Sequence, residues 1–274
     1  MSILKLAKII NTRESAARKF EEEAWKRGFG CVKCGSIRAW KHRKLKNGLQ
    51  KYRCEDCKHL FSDQSWTVLR WNKARIDKVA IVNHLSGKKL DVRSIARESE
   101  LNKNTVMKLA TKIRRLKSEL YEAMAPPQLG GIVKMDETKM GKDWYWGAIE
   151  RGTNNAIVEK IPGRSEAVLS ARIWKYIEEG STIMTDELAS YQPHPRFYKH
   201  FAVKHCEYFV HPECNLIHTN RIEGLWAQLK RKIERFCNNV KPEHIQEYIN
   251  EYFYLKNHEK SKNPTFFPLY CRKT

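Results

Sequence analysis

Apolar residues along the chain follow one period before about residue 126 and another after it. Ile76, Val79, Ala80, Val82 and Leu85 are spaced as on one side of a helix that Gly87 ends. A second helix is predicted from an Asp91 cap through Glu98, and a third from an Asn102 cap, running from Lys103 to about Met124. Ile95, Ala96, Leu101 and Val106 form the compact apolar kernel with which a helix-turn-helix packs across its short turn. Pro126-Pro127 ends the third helix, and Gly130-Gly131 follows as a domain boundary. Strands come next. Ile132–Asp136 is short and apolar and is predicted to end at its acid, while Trp144–Ile149 and Ala156–Ile161 flank a turn at Gly152-Thr153-Asn154-Asn155. Ser165 caps a helix through Glu178 with a predicted buried stripe at Leu169, Ile173, Trp174 and Ile177. Thr182–Asp186 repeats the apolar run closed by an acid, Phe201–Val203 continues irregularly to Val210, and a long helix spans about Thr219–Arg235.

Charge changes the picture. The chain has 274 residues and a formal net charge of +21, with 52 Lys+Arg against 31 Asp+Glu. Residues 1–125 hold 30 basic and 13 acidic residues, the remainder 22 and 18. An excess confined to one half marks a polyanion-binding module. A hydrophobic fraction of 41% excludes a disordered basic tail. An anionic membrane is disfavoured because no basic amphipathic helix with a bulky apolar face is evident. No run approaches the length of a membrane span, and the start has no apolar stretch closed by a small-residue cleavage site. The expectation is an intracellular protein that binds nucleic acid, with Lys103, Asn104, Thr105 and Lys108 at the start of the third helix, where base edges are read. An ordinary helical bundle with solvated charges is the plainer alternative.

Four of the eight cysteines stand as Cys31-x2-Cys34 and Cys54-x2-Cys57, nineteen residues apart. Two such knuckles are what a four-thiolate zinc site needs. Disulfides are the alternative, suited to an exported chain. The spacer reads as a hairpin turning at Asn47-Gly48, with Arg43 and Lys44 among basic residues expected to touch phosphates. One structural Zn2+ per chain is expected.

Asp136 and Asp186 each stand beside an apolar run, where a carboxylate is costly unless a cation faces it. Downstream, Ile222, Leu225, Leu229 and Ile233 form a buried stripe, and Glu223, Trp226 and Lys230 the stripe beside it. Three acids and a helical lysine favour a divalent-metal cluster over an N-cap and a surface ion pair. A Tyr recombinase is disfavoured because Tyr191 and Tyr208 lack a cluster of Arg helpers. His205, Cys206, His211, Cys214 and His218 crowd one stretch. A second zinc on His211, Cys214 and His218 is weighed there against packing thiols and partner histidines.

Met135-Asp136-Glu137-Thr138, Thr185-Asp186-Glu187, Lys204-His205, and His218-Thr219-Asn220-Arg221-Ile222-Glu223-Gly224-Leu225-Trp226 with Leu229-Lys230-Arg231 resemble cut-and-paste transposases of bacterial insertion sequences. More narrowly, the chain resembles the group with an N-terminal zinc ribbon and an ISXO2-like transposase domain, related to eukaryotic Merlin transposases. It departs from that group in a short 136–144 loop and in Leu255-Lys256-Asn257 where the pattern has Arg-x-Asn. The resemblance implies an α/β, RNase H-like catalytic domain preceded by a zinc ribbon and a helix-turn-helix. It implies catalytic Asp136, Asp186 and Glu223 holding two Mg2+ or Mn2+ ions, with Lys230 on a phosphate and Asn220 and His205 in support. The expected segments are a helical 1–27, a ribbon 28–62, a helix-turn-helix 72–125, a catalytic domain 130–257 and a tail 258–274. Expected partners are double-stranded DNA, as transposon ends and target, and a second copy of the chain on paired ends. The expected place is the bacterial cytoplasm and nucleoid, or the nucleus of a eukaryotic host. The rival is a non-catalytic, domesticated DNA-binding regulator, which would have no need of all three acids and Lys230; a metal-dependent nuclease without strand transfer is a third reading.

Overall fold

The computed structural model describes residues 6, 8, 10–26, 30–88, 90–153, 155–186, 191, 193–203, 220–236 and 240–259. They divide into two compact units, one running to Tyr121 and taking in Asn250 onward, the other built from Glu122–Glu234 and ending at Ile249.

The first unit begins with α1 (Arg13–Lys26) and an antiparallel ribbon of β1 (Ala39–Lys44), β2 (Gln50–Cys54) and β3 (Leu60–Ser62) in that order. The predicted Asn47-Gly48 turn is present. Asn47 Oδ1 accepts from the Leu49 amide at 3.2 Å, and Gly48 takes φ 98°, where any Cβ would also meet Arg13 at 2.9 Å. Helices α2 (Ile76–Ser86), α3 (Val92–Ser99) and α4 (Lys103–Glu122) follow. Asp91 caps α3 by accepting from the amides of Arg93 and Ser94, and Asn102 Oδ1 accepts from the Asn104 amide at 2.8 Å. Glu100, at φ 51°, turns the chain between them. Ile76, Val79, Ile95, Val106 and Ile113 share one core with Phe20 of α1 and with Leu49 and Leu69. Ribbon tip and helices therefore fold onto the same apolar centre.

The second unit is a five-stranded sheet of β4 (Ile132–Met140), β5 (Asp143–Glu150), β6 (Ala156–Ile161), β7 (Thr182–Asp186) and β8 (Lys199–Val203), ordered β6-β5-β4-β7-β8. The first three strands are antiparallel, while β7 and β8 join in parallel after the crossover helix α5 (Glu166–Tyr176). Three meander strands at one side, a crossover and two parallel strands at the other make the RNase H-like α/β arrangement. Helices α6 (Asn220–Phe236) and α7 (Ile245–Glu259) follow, and α7 contributes to this unit through Ile249. Gln246 accepts from the Lys160 amide at 3.2 Å and so occupies a backbone donor of the edge strand β6.

Two expectations change. Asp136 lies mid-strand, because β4 runs on through Glu137-Thr138-Lys139 to pair Met140 with Asp143 across a turn at Gly141. The stretch expected as a loop is thus a tight hairpin, whose polar sequence hid a strand with buried Thr138 and Met140. Trp174 is exposed rather than part of the α5 stripe. Leu169, Ile173 and Tyr176, at i, i+4 and i+7, face the sheet, and the Trp174 ring packs edge-on against Phe197 and Tyr198. Among the described residues no helix is long and apolar enough to cross a membrane.

Where α7 belongs to the first unit, Glu251 meets Lys117 of α4 at 3.3 Å, with side chains 5% and 2% exposed. Beside them Asn250 donates to Ser118 Oγ at 2.9 Å, and Tyr121 stacks on Phe253. Removing one partner of a buried pair is expensive, whereas replacing both with apolar residues is not. Glu251→Ala should therefore cost about 3–5 kcal/mol. Lys117→Met combined with Glu251→Leu should recover most of that loss, as read from denaturant midpoints.

Candidate active site

The sheet's register brings two acids level. Parallel pairing sets Ile132 opposite Thr182, Val133 opposite Ile183 and Lys134 opposite Met184. Carried two residues further, it puts Asp136 beside Asp186 on strands about 4.8 Å apart. Alternation sends Val133 and Met135 into the core with Leu169 and Ile173 of α5. Lys134, Asp136 and Asp186 belong to the opposite face, which α6 covers.

Helix α6 buries Ile222, Leu225, Trp226 and Leu229. Its first turn is tied down by Arg221, whose guanidinium donates to the Thr153 carbonyl in the β5–β6 turn. The Trp226 ring occupies the space above Gly147, which is the cross-strand partner of Asp136. A Cβ at Gly147 would stand 2.7 Å from two indole carbons, so only glycine leaves room for the ring. Seated there, Trp226 Nε1 donates to Asp136 Oδ2 at 3.0 Å, and the Glu137 amide donates to Asp136 Oδ1 at 2.8 Å. Both oxygens are thus oriented, and each keeps capacity for another partner.

Burial and the nearby Asp186 carboxylate push Asp136 up to about 6, with Glu223 adding to the rise and the two donors opposing it. Glu223 sits one turn before Trp226 on α6, and exposed Lys230 one turn beyond it. Asp136 thus feels the charge of both Asp186 and Glu223, but among the described residues only the four cysteines of the first unit have three or more ligand atoms gathered closely enough for one ion. Asn220 opens α6. His205 lies outside the described residues, as do Cys206, His211, Cys214 and His218.

Sequence reasoning missed four participants. Trp226 was assigned a stripe but no partner, and Gly147 carried no signal apart from sitting among three aromatic residues. Glu137 points to the α5 side, where it accepts from the Tyr191 hydroxyl and is pushed up to about 7 by burial, Asp186 and Asp136. Lys134, 1% exposed, is held down at about 8 by burial and by Arg151 and Arg221. Its signal was legible: Lys134 and Asp136 are two charges at strand spacing inside an apolar run.

In the first unit the Sγ atoms of Cys31, Cys34, Cys54 and Cys57 all lie within 4.8 Å of one another. Cys31 and Cys57 are 3.5 Å apart and Cys34 and Cys54 3.6 Å, and none of the four is disulfide-bonded. A tetrahedron with metal–sulfur bonds near 2.3 Å has edges of about 3.8 Å, so the four sulfurs could hold one ion. Arg43 and Lys44 are exposed on β1. Lys103, Asn104 and Lys108 are exposed on the first turns of α4, with Thr105 half-buried.

A raised carboxyl pKa means that the folded chain holds its proton to higher pH than the unfolded chain does. Stability from this group is then lost as pH rises from about 4 through about 6. Asp136→Asn should raise the melting temperature of the second unit by a few degrees at pH 7–8 without divalent cation. Added Mg2+ should stabilise the unaltered protein more than the variant, both read by calorimetry.

Among solved structures, the catalytic core domain of BIV integrase is similar at 12% identity and a TM-score of 0.34, over 49% of this chain and 86% of that one. No curated protein matches the chain. The family described as ISXO2-like transposase domain matches residues 130–257. That span opens at the glycine pair before β4 and takes in the whole sheet, α5, α6 and most of α7. Over residues 130–257 the chain is therefore similar to ISXO2-like transposase domains.

Proposed function

We propose that the chain is a cut-and-paste DNA transposase that binds the terminal repeats of its element, cleaves the DNA there and joins the ends to a target. The observation that supports the reading is Asp136 level with Asp186 on the α6 side of the sheet, with Glu223 near enough to add to the rise of the Asp136 pKa. An oxygen-only donor set suits hard divalent cations such as Mg2+ or Mn2+. Bound there, such ions would supply activation of water or of a DNA 3′-hydroxyl and charge stabilisation for a departing oxygen. Asp136, Asp186 and Glu223 would hold the cations, and Trp226 orients the Asp136 carboxylate for that role. Lys230 is placed two turns from Glu223 to meet a phosphate as a point charge. The basic first unit holds the DNA, with Lys103, Asn104, Thr105 and Lys108 toward bases and Arg43 and Lys44 toward phosphates. Zinc on the four cysteines stabilises the ribbon. Pairing of two element ends calls for at least two copies on DNA, inside the cell.

Glu223, rather than Asn220, completes the cluster, since two divalent cations need more negative charge than Asp136 and Asp186 provide. With duplexes carrying the element's ends, Glu223→Gln should lose cleavage by several orders of magnitude and keep end binding. Asn220→Ala should lose only ~10–100-fold. The reverse order would exchange the two roles, and dispensable Asp136 and Asp186 would end the reading. Metal analysis should find one zinc per chain. Cys31→Ser should lose it and unfold the ribbon while the second unit still melts normally.

A further inference from the structure

Trp71 is 80% exposed, more than any other large apolar residue described. Its backbone lies in the left-handed region at φ 68°, which a bulky side chain rarely adopts. The surrounding loop enforces that conformation. The Asn72 amide donates to the Leu69 carbonyl at 2.7 Å and Arg70 to Thr67 at 3.1 Å, with Leu69 fully buried. The Asn72 carbonyl accepts from the side-chain amides of Asn47 at 3.2 Å and Gln64 at 3.4 Å, which are themselves joined at 3.1 Å. Asn72 also closes on Ala74 through its own side chain. A strained backbone fixed from both sides, presenting an indole that no core uses, is the pattern of a functional residue.

The surroundings identify its ligand. The Arg70 guanidinium lies 5.2 Å from the indole centroid and Lys73, two residues on, is exposed, while Arg75 is held by both oxygens of Asp77. An aromatic plate flanked by cations suits a nucleobase, with the ring stacking on the base and the cations meeting its phosphates. Paired bases are held in the stack by their partners, so such a plate takes an unpaired base at an overhang or an opened step. We propose that Trp71 stacks on an unpaired base of bound DNA, so that the first unit detects an overhanging or opened DNA end. This rests on the reading that the chain acts on DNA.

The test compares binding of the full zinc-loaded chain, without added Mg2+, to a blunt duplex and to the same duplex with a short single-stranded overhang. The unaltered protein should prefer the overhang by roughly 5- to 100-fold. Trp71→Ala should abolish the preference while leaving blunt-duplex binding unchanged, and Trp71→Phe should keep most of it. Trp71→Gly accepts the left-handed backbone without strain, so it should melt no lower than the unaltered protein and still lose the preference. Equal binding of both duplexes by the unaltered protein, or an undiminished preference in Trp71→Ala, overturns the proposal alone. Loss of self-association in Trp71→Ala with the preference intact assigns the indole to a second copy of the chain and also overturns it. An unaltered protein that binds neither duplex overturns the DNA reading, and this proposal with it.

Discussion

Carboxylates gathered on one face of a sheet repel one another, and the second unit is arranged to hold that repulsion in place. Asp136 is the centre of it. Its level is set by strand pairing with β7, its rotamer by the indole of Trp226, and the position of that indole by the absence of a side chain at Gly147. Arg221 ties the first turn of α6 to the β5–β6 hairpin, so the helix that carries Glu223 and Trp226 is fixed close to both. A shift of one residue in the β4–β7 register would send Asp136 to the α5 side, among apolar residues. Much of the fold's specificity therefore serves the position of one carboxylate.

The first unit depends on a different constraint. A ribbon this small buries little apolar surface of its own, with Tyr52 and Phe61 stacked beside Cys31 and Cys54 as its small centre. It compensates by attachment. Leu49 enters the helical core, and Arg13 donates to the carbonyls of Leu45 and Lys46 at the ribbon tip. The basic residues of β1 and the start of α4 are thereby carried on one packed body.

The parts readable from sequence were those in which local chemistry and tertiary packing agree. Asp91 and Asn102 cap the helices they precede, the Asn47-Gly48 turn needs its glycine, and the two cysteine pairs converge. The α6-side face of β4 could be inferred from Asp136 and Asp186, but the end of β4 could not. Residues Asp136 to Lys139 are polar, and their strand conformation comes from pairing with β5 rather than from their own propensity. Trp174 misled for the opposite reason, since an apolar residue near a stripe need not lie on it. Gly147 was unreadable because its meaning is a distance to a residue in another element.

Helix α7 completes both units: its first turns lie on β6, and Asn250 onward brings Glu251 to Lys117. A chain cut short before Glu251 thus lacks the acid that faces the buried Lys117 of the first unit, even though residues 1–125 have all been made. Truncation there should therefore yield chains whose first unit is prone to proteolysis.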